Sequence, residues 1–419
     1  MTFSLVYSIV YIDKVICKGA INMAFFTAKT RHGCCAELKV TPDGVHHIAP
    51  EMDKRHKVLH TENAWILFYA KVEGEKGESV KCCLNWPEYD KAKNLSDDEW
   101  TKNLKTFSGL VPNLIYISED ELSWTRVEEI KTDGNKTFFD VTVPNDKLFI
   151  SVGLPYTAAM LGKLRTDMLD SPWVTEEIIG YDAFGFPLTL YTVTDNSVDI
   201  NKKKAVWYQA VQHAPETAGA TLADAMLRFL SGDTKEAEQI RKETVFHILP
   251  VCSVNSWLCG QSAHESGINP NRDWVNKELP ETRAIVKYID KIAKSENLTL
   301  AFDVHTGLAF DANPHINVSK LSLSTNKPPE MRKAEQETIN DILENCNHFG
   351  TEPIWEYEMA EREADGYIYK HYCQAHTIEI CRFNYFDKKS GSVLPPSQEA
   401  FTQFGCDFCK ALAKNLRKR

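Results

Sequence analysis

Long apolar runs are scarce in this sequence of 419 residues, and none is long enough to span a bilayer. The most apolar stretch lies at the N-terminus, but Asp13 and Lys14 interrupt it, and it has neither a basic start nor a small-x-small cleavage site. We therefore interpret residues 1–24 as an N-terminal extension rather than a signal peptide, and we expect no membrane partner.

An excess of positive charge is also lacking, because the formal net charge is −10. This balance argues against a general nucleic-acid-binding protein. The twelve cysteines lack the spacing of a small disulfide-rich secreted domain, so we expect free thiols and a cytoplasmic location. Cys406 and Cys409 form a Cys-x-x-Cys pair in an amphipathic C-terminal segment without further Cys or His partners, which favours two ordinary helix residues.

The N-terminal part of the chain, over residues 25–154, has the pattern of an antiparallel β-sandwich domain. Short runs such as Lys136–Val143 alternate between apolar and polar residues and are separated by Asn, Asp and Gly. No Cys or carboxylate pattern accompanies the histidines of this part. We therefore place them at the surface or in loops: His46, His47, His56 and His60.

Beyond Val152–Tyr156 the pattern changes to strands that alternate with helices, which predicts an α/β domain over residues 155–419. The near-continuous apolar strands predict a mixed, mostly parallel sheet flanked by helices. The predicted central strands are Ala205–Val211, Thr244–Cys252, Leu298–His305 and His376–Cys381. The predicted helices include Thr157–Leu169, Thr221–Leu230, Pro280–Ser295 and Pro328–Phe349.

A candidate metal site begins where the strand Ala205–Val211 gives way to a helix. His213 and Glu216 lie there, and a His and a carboxylate three residues apart can close on one Zn²⁺ if a third ligand arrives. His305, at the end of another buried strand, is the candidate third ligand. Two His and one Glu with an open position form the ligand set of hydrolytic zinc. Asp303 is expected to point to the opposite face of its strand.

Two further features suit hydrolysis of an amide. Glu379 lies in the middle of an apolar strand, where a carboxylate costs free energy unless it has a function or a partner. We interpret Glu379 as a general base; the alternative is an ion pair with Arg382 or Lys370. Asn271 and Arg272 are neighbours, and the planar fork of Arg272 suits a carboxylate.

Together these motifs resemble the M14-type zinc carboxypeptidases, with the segments in the family's order over roughly residues 110–390. The 89 residues between Glu216 and His305, the N-terminal β-sandwich and the sequence Leu154-Pro155-Tyr156 are most similar to the cytosolic carboxypeptidase branch. The matching segments are Gln212-His213-Ala-Pro-Glu216, Gly267 to Arg272, Pro280 to Arg283, Asp303-Val-His305 and Thr377-Ile-Glu379.

The resemblance implies one Zn²⁺ per chain, held by His213, Glu216 and His305. It implies Glu379 as the general base for a zinc-activated water and later as the proton donor. It also implies Asn271 and Arg272 as the clamp for a substrate carboxylate. The expected reaction is release of a C-terminal or branch amino acid from a peptide or protein.

The chain departs from the family at two places near the expected substrate, and the first is Val254–Trp257, where the family usually has Asn-Pro-Asp-Gly. The segment Gln261–His264 lacks the arginine that stabilises the oxyanion, which leaves His264 as a candidate substitute. The family's substrate-capping tyrosine precedes the catalytic Glu, and either Tyr367 or Tyr369, in a turn-like segment, could serve.

The sequence is also compatible with two other functions. One is an aspartoacylase-like zinc amidohydrolase, whose small amide substrate would be an N-acyl amino acid. The other is a non-catalytic zinc-binding module, which the combination of His213, Glu216, His305 and Glu379 disfavours.

Overall fold

A computed structural model describes residues 24–50, 68–86, 114–260, 264, 266–307, 319–381 and 384–419. The N-terminal strands form two five-stranded sheets, with orders β1-β4-β10-β6-β7 and β2-β3-β5-β9-β8. Their bounds are β1 Phe25–Thr27, β2 Cys35–Val40, β3 Val45–Pro50, β4 Tyr69–Glu73, β5 Ser79–Asn85, β6 Ile115–Ser118, β7 Thr125–Arg126, β8 Ile130–Asp133, β9 Lys136–Thr142 and β10 Lys147–Val152.

The N-terminal sheets confirm the predicted antiparallel region. Every neighbouring pair in the first sheet is antiparallel, and in the second only β3 and β5 run parallel among the described strands. Strand β9 alternates between inward and outward residues as its sequence predicts. The division of the chain into domains at residue 154 stays a prediction.

Two histidines of this region lie in a strand rather than in loops. His46 is buried, with 3% of its surface exposed, and its Nδ1 lies 2.7 Å from Oε1 of Glu37. The prediction of a surface or loop position was therefore wrong for His46, because the pairing of β2 with β3 supplies a carboxylate partner. His47 is half-buried, also in a strand, and His56 and His60 lie outside the described residues.

The second part of the chain alternates strands and helices. Its helices are α1 Ala158–Leu169, α2 Ala218–Ser231, α3 Lys235–Glu243, α4 Val254–Leu258, α5 Pro280–Ser295, α6 Pro329–Asn345, α7 Ala364–His371 and α8 Gln398–Arg417. Its strands are β11 Val174–Tyr181, β12 Pro187–Val193, β13 Lys204–Ala210, β14 Thr244–Leu249, β15 Asn297–Gly307, β16 Ser319–Ser324, β17 Phe349–Tyr357, β18 Gln374–Cys381, β19 Tyr385–Asp387 and β20 Ser392–Leu394. Short 3₁₀ helices span Ile200–Lys202 and Pro270–Arg272.

Eight of these strands form one mixed sheet with the order β11-β12-β14-β13-β15-β18-β16-β17. Strands β14, β13, β15 and β18 are mutually parallel, whereas β12 meets β14 and β16 meets β18 antiparallel. This arrangement confirms the predicted mixed, mostly parallel sheet flanked by helices. Strand β13 is buried almost throughout, which explains its continuous apolar sequence.

Helix α2 approaches the central strands closely because Gly219 has no side chain. A Cβ at Gly219 would lie 2.8 Å from the Cβ of Ala210 in β13 and 3.0 Å from Cγ1 of Val304 in β15. The helix therefore starts directly behind the ends of these strands.

One predicted helix boundary and one predicted turn were wrong. Helix α6 ends at Asn345 rather than Phe349, and Phe349 begins β17, an edge strand whose Pro353 and Gly350 obscure its pattern. The segment around Tyr367, predicted as a turn, is helix α7.

The described cysteines and helices bear on two further expectations. No disulfide bond joins the cysteines of the described ranges, and Cys406 and Cys409 lie on α8. In the part of the chain that the structure describes, no helix has both the length and the apolar character needed to cross a membrane.

Candidate metal centre

The candidate site lies at the carboxyl ends of three adjacent parallel strands, β13, β15 and β18. His213 follows the end of β13, and His305 lies near the end of β15. Glu379 of β18 is directly in register with His305, so their side chains share one face of the sheet. The sheet thus brings together three residues that are far apart in the chain.

A strained turn carries the chain from β13 to His213. Val211 has a φ of +56°, which is unusual for a β-branched residue. The turn is held by Ser253, whose backbone N–H donates to the Val211 carbonyl at 3.0 Å and whose hydroxyl donates to the Gln212 carbonyl at 2.6 Å. These bonds fix the direction in which His213 leaves the sheet.

His213, Glu216 and His305 form a compact donor set. Nδ1 of His213 lies 2.8 Å from one carboxylate oxygen of Glu216, and Nδ1 of His305 lies 2.7 Å from the other. One ligand atom from each residue falls within 4.8 Å of the others. Glu216 and His305 are buried, while His213 is 20% exposed at its side chain, so the site opens to solvent on one side.

The charges of these groups are strongly linked. Burial alone would raise the pKa of Glu216, but the facing rings of His213 and His305 lower it to about 2. Burial alone would lower the pKa of His305, but Asp303 and Glu216 raise it well above its usual value. The site therefore attracts positive charge, which suits a cation that replaces protons on the two rings.

The other nitrogen of each ring also has a partner. Nε2 of His213 lies 2.9 Å from Oδ1 of Asn269, and Nε2 of His305 lies 2.9 Å from Oδ2 of Asp303. Histidines that bind metals usually have such a partner, which fixes the ring and its tautomer. The expectation that Asp303 points away was wrong, because residues two apart in a strand share a face.

A buried amide network supports Asp303. The side-chain amides of Gln209 and Gln212 donate to its carboxylate at 3.0 and 2.7 Å, and Trp274 donates to Gln212 at 3.0 Å. The sequence interpretation assigned no role to these residues or to Asn269. The signal that could have found two of them is their position within the segments that match the family.

Glu379 has the environment of a titrating carboxyl group. Burial raises its pKa to about 7, against the opposing effect of the nearby His305. The alternative partner Lys370 contacts Glu361 instead, so an ion pair between Lys370 and Glu379 was the wrong alternative. Arg382 lies outside the described residues.

Asn271 and Arg272 lie on the 3₁₀ turn beside the donor set. Nδ2 of Asn271 is 3.0 Å from Nε2 of His305, and its Oδ1 accepts from the first amide of α7, Ala364, at 2.9 Å. Arg272 is partly exposed and lies 3.4 Å from a carboxylate oxygen of Glu363. Asn271 is therefore engaged within the protein, whereas the Arg272 side chain is 43% exposed and donates to the Asn271 carbonyl at 2.8 Å.

His264 does not join this group as a free donor. Its Nε2 contacts Glu281, and its Nδ1 lies 2.7 Å from the hydroxyl of Ser266, so both ring nitrogens are engaged. This arrangement argues against His264 as the substitute for an oxyanion arginine. Gln261, Ser262 and Ala263 lie outside the described residues.

Of the two candidate tyrosines, Tyr367 is connected to the site. Its ring centroid is 6.0 Å from that of Trp274, which binds Gln212, and the Lys277 ammonium lies 4.6 Å from its centroid. Tyr369 instead lies under the ammonium of Lys327 at 3.7 Å. Tyr367 therefore packs against the amide network that supports Asp303.

Comparisons with known proteins agree with this geometry. The family model described as zinc carboxypeptidase, Peptidase_M14, matches residues 169–399, more than half of the chain. No curated protein sequence matches the chain significantly.

Solved structures share the fold over nearly the whole chain. A metallo-carboxypeptidase from Burkholderia cenocepacia has a TM-score of 0.74 and 19% identity, and the match covers 94% of this chain and 99% of that one. A metallo-carboxypeptidase from Pseudomonas aeruginosa, solved with (2-guanidinoethylmercapto)succinic acid, has a TM-score of 0.71 and 16% identity, with 94% and 100% covered. The shared fold includes the N-terminal sheets.

Proposed function

Because the chain belongs to the M14 zinc carboxypeptidase family, we propose that it releases a C-terminal amino acid from a peptide or protein. In this proposal His213, Glu216 and His305 bind one Zn²⁺, and Glu379 is the general base. The observation that carries it is the donor set within 4.8 Å, beside a carboxyl group in register with His305.

The residues present fit Zn²⁺. Two imidazole nitrogens and a carboxylate are the donors of hydrolytic zinc, and Asn269 and Asp303 orient the two rings from behind. Bound Zn²⁺ supplies a positive charge that polarises a substrate carbonyl and makes a water molecule more acidic.

Glu379 is suited to move a proton in both directions. Its pKa of about 7 means that the carboxylate can take a proton from the attacking water near neutral pH. The same group, now protonated, can return the proton to the leaving amine. An exposed carboxylate with an ordinary pKa would hold that proton poorly.

Arg272 is the proposed site for the substrate's terminal carboxylate. Its guanidinium is partly exposed and lies 3.4 Å from Glu363, which is too long for a close bidentate pair. The ligand in the P. aeruginosa structure is a succinic acid derivative, so it offers the carboxylates that such a clamp would bind. Asn271 can contribute only if a substrate displaces its present contacts, and Tyr367 is the proposed capping residue.

We also propose membership of the cytosolic carboxypeptidase branch and a cytoplasmic location. The scattered positions of the twelve cysteines, which do not resemble the disulfide framework of a small secreted domain, support a reducing compartment.

The test is hydrolysis by the wild type and Glu379→Gln, with metal content measured in both. We expect a loss of about 10²–10⁴-fold in Glu379→Gln, with zinc retained. Glu361→Gln, which removes an exposed carboxylate paired with Lys370, is the control and should keep full activity. Full activity in Glu379→Gln would contradict the proposed base.

A second experiment compares the rate at which the wild type hydrolyses peptides that differ in their C-terminal residue with the rate for N-acyl amino acids. Faster hydrolysis of peptides supports a carboxypeptidase, whereas exclusive hydrolysis of N-acyl amino acids would indicate an amidohydrolase.

A further inference from the structure

His32 joins the N-terminal sheets to the catalytic part of the chain. It lies in the loop between β1 and β2, with 5% of its surface exposed and a φ of +64°. Its ring packs 4.7 Å from Trp257 and 5.7 Å from Tyr69, measured between centroids. The left-handed backbone conformation of His32 costs free energy, so its contacts must stabilise it.

The contacts of His32 reach the ends of two helices. Its backbone N–H donates to the Leu258 carbonyl and its Nδ1–H to the Trp257 carbonyl, both at 2.8 Å. Its Nε2 accepts from the backbone N–H of Ala158 at 2.9 Å. A carbonyl only accepts and an amide N–H only donates, so the ring is neutral with its proton on Nδ1. His32 thus bonds to the last two carbonyls of α4, those of Trp257 and Leu258, and to the first amide of α1, that of Ala158.

Helix α4 in turn leads directly to the candidate metal site. Ser253, which precedes α4, binds the carbonyls of Val211 and Gln212, and the Gln212 side chain donates to Asp303 at 2.7 Å. His213 is the next residue after Gln212. A continuous set of hydrogen bonds therefore connects the His32 loop with both proposed histidine ligands.

We propose that His32 is a positioning residue for the zinc site, acting through α4 on the turn that carries His213. This inference rests on the proposed function for its metal, but the junction itself is a property of the protein without metal. The N-terminal sheets then contribute to activity through this contact.

Two substitutions at position 32 separate its two side-chain bonds. Asn tolerates positive φ and places an amide near Nδ1, so His32→Asn keeps the bond to Trp257. Gln reaches further and can accept from Ala158, but it loses the bond to Trp257. We expect about tenfold weaker zinc binding in His32→Gln, measured by chelator competition, and a change within about twofold in His32→Asn.

Two other variants serve as a control and as a second probe. Thr157→Val removes the hydroxyl that caps α1, which accepts from Met160 at 3.1 Å and donates to the Glu121 carbonyl at 2.7 Å, so it weakens the junction on the side of α1. It should lower the melting temperature and leave zinc binding unchanged. Gly260→Ala would place a Cβ 2.5 Å from the His32 carbonyl oxygen, and it should weaken zinc binding as His32→Gln does.

Hydrogen exchange of the metal-free protein gives a readout independent of zinc. The amides of α4 should exchange faster in His32→Gln than in His32→Asn or Thr157→Val. Equal exchange and equal zinc affinity in all folded variants would overturn the inference, as would weakening by Thr157→Val. Failure of the wild type to bind zinc would instead overturn the proposed function. The hydrogen-exchange result would still test whether His32 stabilises α4.

Discussion

At the scale of single residues, Asp303 connects the proposed ligand His305 to a buried amide network. Its carboxylate faces Nε2 of His305 at 2.9 Å and accepts from Gln209 and Gln212. These contacts hold the His305 ring so that Nδ1 points to Glu216. The sequence indicated His305 and Glu379, because polar residues at strand ends and in apolar strands are conspicuous. The spacing of Asp303 and His305 in one strand already places both side chains on one face, but it could not show that Asp303 would contact Gln209 and Gln212 there.

Substitution of Asp303 should therefore weaken zinc binding, although it removes none of the proposed ligands. In Asp303→Asn we expect zinc affinity to fall about 10–100-fold, because the ring of His305 loses its charged partner. Chelator competition measures the change. Asp140→Asn, on the exposed face of β9, is the matched control and should bind zinc like the wild type. Equal affinity in the two variants would contradict the role of Asp303.

The pKa of Glu379 predicts how activity depends on pH. Burial raises this pKa to about 7, and only the deprotonated carboxylate can accept a proton. Activity should therefore rise with pH through an apparent pKa at or below 7, since a bound cation adds positive charge and favours the carboxylate. The measurement is kcat/KM against pH, and a flat profile between pH 5 and about 8 would exclude Glu379 as the base.

At the scale of elements, the strands of the central sheet followed from apolar runs, whereas α7 and β17 did not. Strand β17 contains Pro353 and Gly350, and α7 begins at Ala364, where the Asn271 side chain accepts its first amide. Such helix starts depend on partners almost a hundred residues away, which local patterns do not contain.

The close contact of α2 with the sheet predicts that Gly219→Ala and Gly162→Ala have different effects on stability. Gly219→Ala should destabilise the protein by about 1–3 kcal/mol, because its Cβ would overlap Ala210 and Val304. Gly162→Ala, in α1 with open space around it, should be neutral or stabilise by up to about 1 kcal/mol. Urea unfolding measures both. Equal effects would show that α2 does not need the glycine.

At the scale of the whole molecule, one hydrophobic core includes residues from the N-terminal sheets and from the α/β part. The sequence predicted both regions from their different patterns but not how they join. The His32 junction and the hydrogen bond from Tyr116 to the Pro396 carbonyl at 2.5 Å link residues more than two hundred positions apart. No periodicity in a sequence records such contacts.

Buried neutral histidines make the fold sensitive to acid. Burial lowers the pKa of His32 to about 4 and that of His376 to about 3. In the unfolded chain both side chains have a pKa of about 6.5. The unfolded chain therefore binds more protons below pH about 6.5, and stability falls as the pH decreases, by about 1.4 kcal/mol per pH unit for each histidine.

Urea unfolding of the wild type and His376→Asn between pH about 6.5 and 4 measures this effect. The variant should show a pH slope smaller by about 1.4 kcal/mol per pH unit. An unchanged slope would mean that His376 is protonated in the folded protein.

The central claim is that His213, Glu216 and His305 together hold one zinc ion. The direct measurement is zinc per chain by inductively coupled plasma mass spectrometry after dialysis, for the wild type, His305→Ala and the control His47→Ala. The account predicts one zinc in the wild type and in His47→Ala, and loss of zinc in His305→Ala. A wild type without zinc, or a His305→Ala variant that retains it fully, would contradict the account.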